Sequence, residues 1–214
     1  MDSVYGYLNF VQLYVLVTFL VMLAMYKGLR YNAELKTIIT VSLLSEIGSL
    51  ILVYHNASIN YAYNTALLLH HTLWLLLIVR QFGYTKQLYL VPVSFFIFGV
   101  CNLIFGEGID NFNCNTFIIG SFMYLIVFIT ESFRQLQREN FDFFSAPSYL
   151  MLFAPVMFFL GLSFEFSYRN YELGNSLVFG LVRLYTFISY FVNIIYYTFL
   201  IIYIIKINQP KYAK

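Results

Sequence analysis

Long apolar runs separated by short polar links dominate the pattern along this chain. Seven runs stand out, at residues 6 to 26, 37 to 55, 63 to 82, 87 to 106, 115 to 133, 147 to 167 and 176 to 205. About 20 apolar residues are needed to cross roughly 30 Å of hydrocarbon, and a lone span has to satisfy its backbone internally, which selects helix. The pattern therefore predicts an all-α fold: a polytopic membrane helical bundle of seven transmembrane helices. It forms a single domain over residues 1–214, because the longest polar stretch, Arg134 to Ser145, is only a link.

Polar positions inside the runs carry the next layer of information. In the second run Ser42, Ser45, Glu46 and Ser49 are related by steps of three and four, so they form one stripe on a helix. An acid at the centre of a span costs about 2.5 to 3.5 kcal/mol, and each Leu, Ile or Val returns about 0.3 to 0.6 kcal/mol. The ten such residues between Thr37 and Tyr54 offset that only narrowly, so the stripe should be shielded from lipid by neighbouring helices. The third run carries His70, His71 and Trp74. Reflecting the hairpin about Ser58 and Ile59 sets Glu46 and His71 at one depth, each about 12 Å below the hairpin end. His70 lies about 100° further round the helix and should face elsewhere.

The last run repeats the device, with Arg183, Thr186, Tyr190, Asn193 and Tyr197 at steps of three and four. Read as one helix it would be about 45 Å long, more than the hydrocarbon requires. Arg183 then either snorkels to the outer interface or, in a tilted helix, reaches Glu46. In the fifth run Ser121, Tyr124 and Glu131 lie on a related face, with Glu131 expected in solvent beside Arg134. The candidate ligand-binding or polar-core set is thus Glu46, His70, His71, Trp74, Arg183, Tyr190 and Asn193. Three readings stay open for it: a buried network that fixes packing, a ligand pocket, and a proton or ion path.

Composition agrees with a membrane bundle. The chain is 61% hydrophobic and 10% charged, with a mean hydropathy of +0.75, whereas soluble domains carry about 25% charged residues. Its 24 Phe and 20 Tyr supply interfacial belts and a bulky interior. Assigning alternate links to one side gathers ten basic residues there, leaving Arg169 opposite and Arg183 within the last run. The positive-inside rule then sets the N-terminus outside and the C-terminus in the cytoplasm. No signal-peptide layout precedes the first run, which should remain as a span. Pro92 and Pro155 are expected to kink the fourth and sixth helices, while Gly161 and the pair Gly48 and Ser49 suit close helix approach. Cys101 and Cys114 meet only if the link between them doubles back.

Several chemistries lack their residues. A retinal Schiff base needs a lysine in the middle of the last span, and Lys206 is at its end. Membrane metallohydrolases spread histidines over several spans, whereas His55, His70 and His71 all fall in one hairpin, which leaves no metal set. Haem lacks a matched axial partner. The Gly-x-Ser-x-Gly turn and phosphate-binding glycine loops are absent. No catalytic residue and no cofactor is expected, and nothing points to nucleic acid. Asn56-Ala57-Ser58 fits the glycosylation triplet, which matters only in a glycosylating secretory pathway.

In size and texture the whole chain resembles small bacterial seven-span membrane proteins and the membrane input modules of sensor kinases. That resemblance implies a multi-pass protein of the bacterial cytoplasmic membrane, with the lipid bilayer, a small-molecule ligand and a signalling partner as expected partners. No output domain follows Lys206, so a signalling role would need a partner in the cytoplasm. The favoured expectation is a non-enzymatic, ligand-binding sensory or regulatory protein. The alternatives are a proton-coupled transporter and a structural subunit of a larger membrane complex.

Overall fold

The computed structural model describes residues 10–25, 32–83, 86–168, 172–178 and 180–209. Helices α1 (Phe10–Ala24), α2 (Ala33–Tyr54) and α3 (Asn60–Gln81) come first, followed by a short 3-10 turn (Lys86–Tyr89) and α4 (Leu90–Cys101). The helix that begins as α4 continues as a π-helical turn, Asn102–Gly106. Then come α5 (Cys114–Gln137), the short α6 (Phe141–Ser145), α7 (Pro147–Tyr168) and the one-turn α8 (Glu172–Asn175). A two-stranded hairpin, β1 (Leu177–Val178) and β2 (Val182–Arg183), leads into α9 (Leu184–Ile207).

Helices α2, α3, α5, α7 and α9 are each long and apolar enough to cross a membrane. The two remaining apolar helices, Phe10–Ala24 and Leu90–Gly106, are shorter. The expected run ends before residue 10 and at residue 26 lie outside the described residues, as do Lys27, Arg30, Arg169, Lys211 and Lys214. Large apolar side chains such as Leu13, Leu20, Ile97, Ile126 and Phe133 are exposed around the outside, which suits a lipid-facing surface better than an aqueous one.

The last run departs from expectation. It does not continue as helix from residue 176: Leu177 pairs with Arg183 and Val178 with Val182 in antiparallel register. Gly180 sits in the turn at φ +71°, a conformation that glycine adopts without strain and that ends a helix. The helix α9 therefore has 24 residues, about 36 Å, and the excess length read from the sequence is absent. Pro92 also differs from expectation. It occupies the first turn of α4 behind the 3-10 turn, where a missing N–H removes no helix bond. Pro155 stays inside α7 and withholds a donor from the carbonyl of Met151. Cys101 and Cys114 are not joined in a disulfide.

Small residues set the closest approaches. At Gly161 a Cβ would collide with Val192 of α9. At Gly120 it would come within 2.5 Å of the His71 ring and 2.7 Å of the Phe95 ring. Close backbone approach of this kind is how helices gain packing contacts where lipid removes the hydrophobic drive.

The two ends of the bundle are fastened by different groups. At the end bearing Arg80, Arg134 and Lys206, Glu34 and Arg80 form an ion pair. There Asn32 caps α2 through Leu35 N–H and donates to Tyr203 Oη at 3.0 Å. Glu131, expected in solvent, is buried at 2% exposure and accepts from Arg134 (3.1 Å) and Gln135 (2.6 Å). Glu131 lies six residues, about 9 Å, before the helix end at Gln137, and the half-exposed Arg134 side chain reaches back to it across one turn. At the opposite end Asn64 donates to the carbonyls of Ile109 and Asn111 and accepts from Asn113 N–H, at 3.1, 2.7 and 3.0 Å. Asn60 donates to the Asp110 carbonyl at 2.6 Å, so the α4–α5 link is drawn across the start of α3.

Candidate functional site

The sequence stripe on α2 turns inward. Ser42, Ser45 and Glu46 line a cavity of about 340 Å³ together with residues of α1, α3, α5, α7 and α9. From α3 come Asn60, Tyr63, Ala66, Leu67 and both histidines. From Asn60 to His70 is ten residues of helix, about 15 Å, so the cavity runs from the α2–α3 turn to the middle of the bundle. Helix α9 contributes Ser189, Asn193 and Tyr197, at successive steps of four. Phe112 from the α4–α5 link also faces it, its ring 4.7 Å from that of Phe166.

Glu46 is the polar centre of the α2 wall. The Tyr63 hydroxyl reaches its carboxylate at 3.5 Å, and the Gln12 side chain of α1 is hydrogen-bonded to it as well. Both partners are neutral. The serines beside it direct their hydrogens back into the helix, Ser42 to the Ile38 carbonyl at 3.1 Å and Ser45 to the Ser42 carbonyl at 2.9 Å. That use of the hydroxyl protons leaves oxygen lone pairs, and the Ser42 side chain is also hydrogen-bonded to Tyr197 across the cavity wall. Asn193 likewise donates its amide to the Ser189 carbonyl at 2.8 Å, which leaves its side-chain oxygen as an acceptor.

A layer of rings closes the cavity toward the middle of the bundle. Trp74 is fully buried, and its indole N–H donates to Tyr196 Oη at 3.0 Å, with His70 Nε2 at 3.3 Å. The Tyr196 hydroxyl lies 3.0 Å from His70 Nε2. An indole nitrogen only donates, so His70 Nε2 is the acceptor and the ring proton is assigned to Nδ1. His71 is tied by Nδ1 to the Leu67 carbonyl at 3.1 Å and by Nε2 to Ser121 Oγ at 3.4 Å. Its ring stacks on Phe159 with centroids 4.4 Å apart.

The structure brings Glu46, His70, His71 and Asn193 to one cavity, with Trp74 beneath them. His70 was expected on another face, yet it too borders the cavity, because the space is wide enough to span adjacent positions of α3. His71 does not pair with Glu46; its ring nitrogens engage α3 and α5 instead. Arg183 and Tyr190 stand apart. Arg183 is exposed at the start of α9, with its guanidinium donating to Tyr185 Oη at 3.3 Å. Tyr190 packs its ring 6.3 Å from Phe10 of α1. The face of α9 on the cavity keeps Asn193 and Tyr197 of the expected stripe, with Ser189 standing where Tyr190 was expected.

One member was missed from sequence. Glu165 on α7 is 7% exposed and lines the same cavity. Its position near the end of the sixth run reads as interfacial, but Phe158, Leu162 and Glu165 recur at steps of four and three, a single helix face on the cavity. Among the described residues, no group of three or more His, Cys, Asp or Glu could hold a metal ion.

Fold and site together define a class: a multi-pass helical membrane protein with an internal, partly polar cavity. No protein-family model matches the chain, and neither curated proteins nor solved structures match it.

Proposed function

We propose that this chain is a non-enzymatic, seven-span membrane protein that binds a small molecule in the cavity between α2, α3, α7 and α9, in a sensory or regulatory role. One observation carries the reading. Costly polar groups from separate helices face a shared space of about 340 Å³, within the range of small-molecule sites, when a packing network would have them face each other. The shorter helices α1 and Leu90–Gly106 serve as the remaining two spans. The described basic residues Lys36, Arg80, Arg134, Arg138 and Lys206 fall at one end of the bundle and Arg183 at the other, a bias that supports a cytoplasmic side at the first end and a cavity in the outer half.

Screening small molecules for thermal stabilisation of the purified protein tests the reading. The expected result is a ligand whose stabilising effect is lost in Asn193→Ala, with the melting of the empty protein retained. If Asn193→Ala instead collapses the empty bundle and no compound ever stabilises the parent, the polar groups serve packing. A transporter would additionally move its solute into proteoliposomes under a pH gradient. The ring layer of Trp74, Tyr196 and Phe159 beneath the cavity favours a binding protein over an open path.

A further inference from the structure

Resting on that pocket reading, the lining also carries an inference about ligand class. We infer that the cavity is a site for an organic cation: a primary or secondary ammonium head held at Glu46, with a short apolar body against Phe117 and Phe158. Glu46 faces the cavity, and its described partners, Tyr63 and Gln12, are neutral. Among the described lining residues there is no Lys or Arg, and Arg183, the described cation nearest in sequence to the α9 wall, is engaged outside the cavity with Tyr185. A carboxylate held inside a membrane with no counter-ion among the described residues favours a cation from outside.

The hydrogen-bonding pattern points the same way. Ser45 directs its hydroxyl hydrogen, and Asn193 one of its two amide hydrogens, to backbone carbonyls, so the Ser45 and Asn193 oxygens stand as acceptors near the carboxylate for a donor-rich head group. An anion would be repelled by the carboxylate itself. A bare metal ion is a poor fit, since hard cations take six or more oxygen ligands and the described residues offer no ligand cluster. The rings of Phe117, Phe158 and Tyr197 on the wall suit the hydrocarbon part of an amine, and their faces attract its charge. Glu165 adds a second carboxylate, although the charge assignment needs only Glu46.

Substituted-cysteine labelling tests this without knowledge of the natural ligand. In a Cys101→Ala, Cys114→Ala background, Ser189→Cys introduces a thiol on the α9 wall. Its reaction rates with ethylammonium, ethylsulfonate and neutral methyl methanethiosulfonates are each divided by the rate with a free thiol in solution. The ratio of cationic to anionic rates is independent of how far the thiol is ionised, and the ethylammonium reagent carries the head group in question. The expected ratio is about tenfold or more in favour of the cation, the lower range for charge focusing in a cleft, with most of that preference lost in Glu46→Gln and retained in Glu46→Asp. Labelling by the neutral reagent with no charge preference, or with preference for the anion, overturns the cation and leaves the pocket standing. Failure of all three reagents on a protein that still melts cooperatively overturns both.

Discussion

The two halves of this bundle use the same helices to opposite ends. In the half near Arg80, α2 contributes Leu35, Ile38 and Ile39, and α3 contributes Leu75, Ile78 and Val79, with all six sealed from solvent. Met151 and Leu152 of α7 and Leu200 and Ile204 of α9 complete that side. In the other half the same four helices present Ser45, Glu46, Asn60, Glu165 and Asn193 to a cavity. The change occurs within about one turn of each helix, at the ring layer of His70, His71, Trp74, Phe159 and Tyr196. One half is thus organised as an interior and the other as a site, and tight packing in the first can hold open space in the second.

The sharpest test of that division is the ring layer itself. Trp74→Ala removes a fully buried side chain, leaves the Tyr196 hydroxyl without its indole donor, and joins new space to the floor of the cavity. Truncating a buried Trp typically costs about 3 to 5 kcal/mol, and a loss of that size is expected in unfolding titrations with SDS in mixed micelles. A loss below about 1 kcal/mol would mean that the layer is not packed as described and that the halves are not distinct.

A matched pair of substitutions compares the halves directly. Ala154 is fully buried on α7 in the sealed half, whereas Ala66 on α3 borders the cavity. Enlarging a residue in a filled core costs about 1 to 3 kcal/mol. Ala154→Leu should show that penalty. Ala66→Leu should leave stability within about 0.5 kcal/mol of the parent, because the side chain enters space and displaces no neighbour, while abolishing any ligand-induced stabilisation. Equal penalties at the two positions would erase the contrast.

The sealed half was legible in the sequence because apolar runs of the right length declare spans, and nothing else about a tightly packed interior needs to be known. The cavity half was only partly legible. The α2 stripe of Ser42, Ser45 and Glu46 could be read because a helical period of 3.6 and the expense of an acid in lipid both constrain it. Depth reflection brought His71 to the level of Glu46, yet depth says nothing about azimuth, and the two do not touch. Glu165 escaped because an acid close to a run end is indistinguishable from an interfacial one until α7 is packed. The start of α9 escaped because the hairpin at Leu177 to Arg183 is as apolar as the helix that follows; only Gly180 marked the break. In each case the missing quantity was rotation or pairing, which is set by neighbouring helices and not by the segment itself.

The smallest expected effect concerns Arg183, which the sequence placed with the polar set. Its side chain is exposed, and its described bond is to Tyr185 on the same segment. Exposed groups away from buried networks rarely change stability by more than about 0.5 kcal/mol, so Arg183→Ala should leave the SDS unfolding midpoint nearly unchanged. Because the guanidinium stands at the cavity end of the bundle, removing it eliminates a positive charge near the mouth. The Ser189→Cys labelling ratio should then shift slightly further toward the cationic reagent, by an amount that added salt reduces, as befits a screened surface charge. If Arg183→Ala instead destabilised the bundle as much as Trp74→Ala, the guanidinium would have to reach inward to a carboxylate, and the line between a dry half and a site half would need to be redrawn around it.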